Sequence, residues 1–205
     1  MLGWRGWRWL GWLLIGLCAC TGSKADVWRE PFDEAGEWLL SSDAAAEVSL
    51  VDGELVIEIF EADRIAWAST PQIYTNFKVQ VDAKQVSGPD DNAYGVLVRM
   101  DKDDSFYAFS ISGDGYVRAA YYTGSVWTVL GADWFLSDAV QQGAAQNRLA
   151  VEVQGATYVF LVNDQEVLRV EHTARQKGSI GLYAGAFSEA GVIVAFDNLE
   201  VYPLP

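Results

Sequence analysis

Residues 105–123 read SFYAFSISGDGYVRAAYYT, two stretches of alternating side-chain character on either side of a Gly-Asp-Gly sequence. Alternation with a period of two places successive side chains on opposite faces of a β-strand. Gly and Asp tolerate the backbone angles of a tight turn. The stretch therefore predicts a β-hairpin with strands over residues 105–112 and 116–123.

The same pattern continues in both directions along the chain, with turn sequences such as Asp52-Gly53 and Asn163-Asp164 between short strands. The further predicted strands are 37–40, 46–51, 54–60, 64–69, 77–86, 93–100, 126–130, 148–154, 157–163, 166–172, 178–184 and 192–202. Only residues 137–142 favour a helical turn. Many short strands at such spacing predict an all-β fold, a two-sheet antiparallel β-sandwich of jelly-roll type, as one domain over residues 27–205.

The composition sets limits on the partners of this domain. The chain has 205 residues, 51% of them hydrophobic and 13% aromatic, which is enough for a sizeable core. Its formal net charge of -14 argues against nucleic acid and anionic lipid as partners. The acidic residues are scattered, which favours solubility outside a cell and is also compatible with calcium.

The first 20 residues, MLGWRGWRWLGWLLIGLCAC, have the basic, apolar and small-residue order of a secretory signal. Leu17-Cys18-Ala19-Cys20 resembles the bacterial lipobox. We therefore predict a lipoprotein signal peptide over residues 1–19, lipid on Cys20 and a tether over residues 20–26. This places the domain in the cell envelope, outside the cytoplasm, on a membrane through its lipid anchor. A plain signal peptide or an uncleaved anchor is the alternative. Both cysteines lie in this segment, so the domain has no disulfide.

Eight segments in order cover most of the predicted domain: YGVLVR (94–99), DSFYAFSI (104–111), GDGY (113–116), WTVL (127–130), NRL (147–149), FLVN (160–163), GSIGL (178–182) and FDNL (196–199). Together they resemble the concanavalin A-like (laminin G-like) jelly-roll superfamily, and within it the 3-keto-disaccharide hydrolase-type domain. The resemblance implies a sandwich fold shared by lectins, glucanases and binding modules. It also implies a glycan ligand or a keto-sugar hydrolase activity.

Residues for hydrolysis are hard to find. A glycosidase on this scaffold needs two carboxylates about 5–10 Å apart. Glu58 and Glu61 have odd spacing, so they face opposite sides of a strand. His172 is the only histidine, which excludes a histidine-rich zinc site within one chain. The sequence therefore favours a non-catalytic binding module, with a glycoside-cleaving enzyme as the alternative.

A structural calcium ion is implied by the resemblance to jelly-roll glucanases. Asp197 in the last strand would bind it together with backbone carbonyl oxygens of residues 30–32 and Gly53, because calcium prefers oxygen ligands. The alternative is that Asp197 caps a backbone turn. We interpret Asp101–Asp104 as a hairpin turn rather than a calcium loop.

The period-two alternation also predicts a ligand surface. It places Arg99 on one strand face with Gly95 and Leu97, and it places Arg118 and Tyr122 together on another. A strand face that carries an arginine usually meets solvent or a cleft. Aromatic rings stack on sugars, so we predict a glycan surface made of five residues: Arg99, Arg118, Tyr122, Trp127 and Trp134. The alternatives are that these aromatic residues pack the core and the arginines pair with acids, or that the domain binds an envelope protein.

Overall fold

The structure is a computed structural model that describes residue 1, residues 26–34 and residues 36–205. The signal peptide, Cys20 and most of the tether lie outside the described residues, so the lipid anchor stays a prediction. Within the described part, no helix is long and apolar enough to cross a membrane.

These residues form sixteen strands. Their bounds are β1 Trp28–Glu30, β2 Leu39–Leu40, β3 Ala46–Val51, β4 Glu54–Ile59, β5 Arg64–Ser69, β6 Phe77–Ser87, β7 Asn92–Met100, β8 Ser105–Ile111, β9 Tyr116–Thr123, β10 Trp127–Val129, β11 Phe135–Leu136, β12 Asn147–Gln154, β13 Thr157–Val162, β14 Gln165–Glu171, β15 Ser179–Ala186 and β16 Val192–Pro203.

The strands form two antiparallel sheets. In the first sheet the order is β14-β13-β12-β6-β16-β4-β3, with β1 paired to β16. In the second sheet the order is β10-β9-β8-β7-β15-β5-β2, with β11 paired to β9. The predicted all-β, two-sheet antiparallel sandwich is confirmed.

The main core lies between the sheets and follows the alternation of each strand. Tyr107, Phe109 and Ile111 of β8 all point inward and are fully buried, as the sequence pattern predicts. They pack against inward-facing rings of the first sheet such as Tyr158 and Phe160. Burial of such large side chains contributes about 1.5–3 kcal/mol each.

One bulge interrupts this alternation at the end of β7. Val98 pairs with Ile180 but Met100 pairs with Ser179, so Arg99 is an extra residue in its strand. Arg99 has a φ of 53°, a left-handed angle that turns its side chain to the inner face. The partner strand accommodates the bulge with Gly178, where a Cβ atom would lie 2.4 Å from the Arg99 carbonyl carbon.

Candidate functional site

A second apolar cluster lies on the outer face of the second sheet, away from the core between the sheets. Its buried members are Ala93, Leu97, Met100, Phe106, Ala108 and Tyr183. Half-buried side chains pack over them: Ile65, Trp67, Tyr122, Trp134 and Phe187. The outer face of this sheet therefore presents aromatic rings where a solvated sheet would carry polar side chains.

A row of polar groups crosses the middle of this face. Strand register places Tyr183 opposite Gly95, Gly95 opposite Ser110, and Ser110 opposite Arg118. The Tyr183 hydroxyl and Ser110 Oγ are hydrogen-bonded to each other. Burial raises the pKa of Tyr183 to about 12.

Gly95 forms the floor of this row. A Cβ atom at residue 95 would lie 2.1 Å from the carbonyl oxygen of Phe109 on the neighbouring strand. Only glycine permits this close approach of β7 and β8. The position therefore cannot carry a side chain, and the hydrogen bond between Tyr183 and Ser110 spans it.

Arg118 lies between two tryptophans at the end of the row. Its guanidinium carbon is 5.9 Å from the ring centroid of Trp127 and 5.8 Å from that of Trp134. Both distances are within the range of a cation–π interaction. Its Nε is 3.0 Å from Asp133 Oδ1, but the N–H does not point at that oxygen, so the contact is an ion pair without a hydrogen bond.

Aromatic rings on this face reach toward each other across the strands between them. The ring centroids of Trp67 and Phe106 are 5.9 Å apart, although β15 and β7 lie between their strands. In a flat sheet those strands would be about 14 Å apart. The series continues from Phe106 to Tyr122 at 5.2 Å and from Tyr122 to Trp127 at 4.6 Å. The face is thus a shallow concave surface lined by rings.

Cavities lie along this face, among them one of about 370 Å³ beside Trp67 and Met100 and two smaller ones. One of about 180 Å³ lies where β7 begins, and its walls are Asp91, Asn92, Ser112, Asp114, Tyr116, Trp134 and Phe187. The other, of about 220 Å³, lies near β5 and includes Trp67, Tyr122, Asp43 and Asp63. Rings beside carboxylate and hydroxyl groups suit a sugar, whose faces are apolar and whose edge carries hydroxyls.

Carboxylates lie only around the rim of this surface. The eight strands of the second sheet, all within the described residues, contain neither Asp nor Glu. Glu58 lies on β4 of the first sheet, and Glu61 follows that strand. The strands of the concave face thus do not present the carboxylate pair that jelly-roll glycoside hydrolysis requires.

The structure brings together four of the five residues predicted for the ligand surface. Arg118, Tyr122, Trp127 and Trp134 are neighbours on the concave face. Arg99 does not join them, because the bulge turns it into the sandwich, where its exposed fraction is 1%. The expectation that Arg99 shares the face of Leu97 is wrong for this reason.

Arg99 binds oxygen atoms of three separate segments. It donates to the Tyr158 hydroxyl at 2.6 Å and to the carbonyl oxygens of Arg175 at 2.6 Å, Gly155 at 2.7 Å and Thr75 at 3.1 Å. It is the one arginine in the described residues without a carboxylate within 4.0 Å. Four neutral oxygens therefore compensate its buried charge, and it connects the ends of both sheets.

Sequence reasoning missed Trp67, Phe106, Ser110, Tyr183 and Phe187, all of which build the concave face. Alternation showed which side chains of one strand share a face. It did not show that β15 lies between β7 and β5, and that order brings Tyr183 and Trp67 to the row. Strand order in a sandwich comes from long-range pairing, which local periodicity does not encode.

Asp197 lies next to both segments that the calcium prediction named. Its neighbour Phe196 pairs with Leu55 beside the Gly53 turn, and Leu199 pairs with Glu30. The Asp197 carboxylate accepts hydrogen bonds from the backbone N–H of Asn198 at 2.6 Å and from its side-chain amide at 3.0 Å. Within the described residues no group of three or more His, Cys, Asp or Glu side chains could hold a metal ion. Calcium at Asp197 stays a prediction.

The single histidine lies off the concave face. His172 follows β14, and its Nδ1 is 2.8 Å from the hydroxyl of Tyr107, whose ring belongs to the core between the sheets. Asp101 and Asp103 lie in the β7–β8 turn and bind the guanidinium of Arg175. Hydrogen bonds from Lys102 N–H to Asp101 and from the Ser105 hydroxyl to Asp103 lower the pKa of both carboxyls.

Comparison with known proteins identifies a family. The family model described as the 3-keto-alpha-glucoside-1,2-lyase-like domain matches residues 20–202. The chain belongs to this family.

A curated relative and several solved structures are similar to the chain. An uncharacterized transporter of Schizosaccharomyces pombe is 27% identical over 191 residues, which are 90% of this chain and 36% of the relative. The chain thus spans about a third of the length of that relative.

Among solved structures, a carbohydrate-binding module from Bacillus subtilis has a TM-score of 0.66 at 14% identity, covering 81% of this chain and 95% of that one. A lichenase from a mouse hindgut metagenome has a TM-score of 0.64 at 17% identity, covering 87% and 99%. A transglycosylase in complex with NAG has a TM-score of 0.63 at 8% identity, covering 89% and 86%. At these identities the likeness shows a jelly-roll fold that carbohydrate-binding and glycosidase proteins share.

Proposed function

We propose that this member of the 3-keto-alpha-glucoside-1,2-lyase-like family is a carbohydrate-binding module that holds a glycan on the concave face without cleaving it. The observation that carries the proposal is Arg118 between Trp127 and Trp134, beside a buried Tyr183–Ser110 pair. Rings would stack on the apolar face of a sugar, and the guanidinium would donate to its hydroxyl oxygens.

Exposure at the rim supports this reading. Trp127 is 36% exposed and Tyr116 is 38% exposed, so each offers part of a ring to solvent beside the more buried rings. Soluble domains rarely leave contiguous aromatic surface uncovered without a use for it. One of the solved structures of similar fold is a carbohydrate-binding module.

The absence of strand carboxylates from the described second sheet favours binding over hydrolysis. A glycoside-cleaving activity remains the second candidate, because the family model is named for a lyase and because Asp91 and Asp114 line the 180 Å³ cavity. The test is to incubate the protein with a 3-keto-glucoside and to measure the remaining substrate by chromatography. Consumption of the substrate would favour this candidate over the binding module.

A glycan array tests the binding proposal directly. We expect the protein to bind at least one polysaccharide, and we expect Trp134→Ala to lose that binding because it removes one ring beside Arg118. The matched control is Tyr202→Ala, which removes an aromatic side chain from the first sheet and should bind as the unaltered protein does. No binding to any glycan, or equal loss in both variants, would contradict the proposal and favour an envelope protein as partner.

We further propose that lipid on Cys20 holds the module at a membrane outside the cytoplasm. The lipobox-like sequence Leu17-Cys18-Ala19-Cys20 supports this proposal. Intact-mass measurement of the protein from a bacterial membrane fraction should show residues 20–205 with added acyl mass. An unmodified Cys20, or a retained residue 1, would contradict it.

A further inference from the structure

We propose that the 180 Å³ cavity at the start of β7 receives the terminal unit of a glycan, and that this unit is a neutral or amino sugar. The inference rests on the proposed function and names its ligand class. The volume is below the roughly 300 Å³ of pockets that enclose drug-sized ligands, so the cavity suits about one sugar ring.

A pair of rings closes the cavity toward the centre of the face. Trp134, which precedes β11, and Phe187, which follows β15, meet on the outer face of the sheet. Their ring centroids are 6.0 Å apart and their planes are at 80°. Both rings also pack on the outer cluster around Tyr183. Rings in edge-to-face contact leave no passage for a sugar between them. A glycan that continues from the cavity toward the centre of the face therefore has to pass over these two rings, with its last unit in the cavity.

The carboxylates of the cavity offer hydrogen-bond acceptors to a ligand. Asn92 is fully buried, and its amide group binds Gln85 and Pro89 while its side-chain oxygen accepts from Gly113. One oxygen of Asp114 accepts from Ser112, which leaves the other for a ligand. Asp91 is exposed and makes no side-chain hydrogen bond within the described residues. Free carboxylate oxygens accept from sugar hydroxyls or from a sugar ammonium group.

The charge of the cavity selects against acidic sugars. Two aspartates line it and neither Lys nor Arg does so among the described residues. Arg118 packs against the Trp134 ring and forms an ion pair with Asp133. A carboxylate on the terminal sugar would enter next to Asp91 and Asp114, and like charges at such separations repel. Tyr116 and Trp134 supply rings for a neutral sugar face.

Calorimetric titration of the full mature protein tests the inference. The probes are the tri- and hexasaccharides of the maltose, laminarin, cellulose and chitin series. For the binding series we expect tri- and hexasaccharide affinities within about twofold, since only the end is held. A carboxylate on the terminal unit that enters the cavity should weaken binding more than about tenfold. A carboxylate on the terminal unit at the other end should leave the affinity unchanged.

Asp91→Asn should restore binding of the acid-ended probe several-fold because it removes one repelling charge. Glu47→Gln, an exposed acid on β3 of the first sheet, is the matched control and should restore nothing. A hexasaccharide that binds more than about tenfold tighter than the trisaccharide, or equal binding of both acid-ended probes and the neutral one, would overturn the inference alone. Failure of every neutral probe to bind would overturn the proposed function and this inference with it.

Discussion

The two sheets have the same strand alternation, but their outer faces differ in chemistry. On the first sheet, outward side chains form ion pairs such as Lys84–Glu54 at 2.6 Å and Arg148–Asp82 at 2.7 Å. On the second sheet, the outward side chains are mostly apolar and many are rings, with Arg118 between Trp127 and Trp134. An antiparallel sheet whose outer face meets only solvent carries polar side chains there, as the first sheet does. The second therefore points to a ligand, and the sequence supplies this difference without any change of fold.

The largest expected effect concerns Arg99, whose side chain the β7 bulge turns into the interior of the sandwich. Arg99→Met should lower the free energy of unfolding by about 1.5–3 kcal/mol, because the buried Tyr158 hydroxyl and the carbonyl oxygens of three loop residues lose their common charged donor. Urea denaturation followed by circular dichroism measures the change.

Arg99→Lys is the control, since it keeps the charge and part of the donor set and should lose less. A methionine variant as stable as the unaltered protein would show that Arg99 does not hold the sandwich ends together. It would also remove the structural reason for the bulge that takes Arg99 off the concave face.

Substitution of one aromatic residue on each sheet tests whether the two outer faces differ in ligand binding. Trp127→Ala should weaken glycan binding at least about tenfold, because it removes a partly exposed ring beside Arg118 and Tyr122, with little change in the midpoint of unfolding. Tyr202→Ala on the first face should leave affinity unchanged. Calorimetry with the best glycan from the array measures both, and equal losses would abolish the distinction between the faces.

High pH should disturb the polar row of the second face. The pKa of Tyr183 is raised to about 12 in the folded protein, against about 10 for an exposed tyrosine. The folded state therefore holds this proton more tightly, and its contribution to stability is present below pH 10 and is lost as pH rises toward 12.

Denaturation at several pH values should show this loss, and Tyr183→Phe should reduce its steepness between pH 10 and 12. Tyr94, whose pKa burial also raises to about 12, contributes in parallel from the core between the sheets. A phenylalanine variant with an unchanged pH dependence would mean that Tyr183 ionises as an exposed tyrosine does.

The smallest effect is expected on the first face. Lys84→Met removes an ion pair with Glu54 in which both side chains are about a third exposed, so it should change the free energy of unfolding by less than about 1 kcal/mol. Urea denaturation in low and high salt measures the change. A loss of several kcal/mol would show that this face has a structural role beyond solvation.

The sequence predicted the elements more fully than their arrangement. Period-two alternation identified the hairpin of β8 and β9 and the face shared by Arg118 and Tyr122, because a strand's side chains alternate wherever it lies. It placed Arg99 on the wrong face, because a single inserted residue reverses the alternation and leaves no mark in the pattern. Trp67 and Tyr183 were missed as neighbours of Arg118, since the order β5-β15-β7 arises from long-range pairing.

The most direct test of the difference between the faces uses the five tryptophans of residues 20–205 as reporters. Trp67, Trp127 and Trp134 lie on the concave face, whereas Trp28 and Trp38 stack on each other near β1, with ring centroids 6.3 Å apart. Indole N–H signals, assigned with single Trp→Phe variants, are followed by NMR while a binding oligosaccharide is added. We expect the Trp127 and Trp134 signals to shift with the binding curve and those of Trp28 and Trp38 to stay fixed. Shifts confined to Trp28 and Trp38 would contradict this expectation.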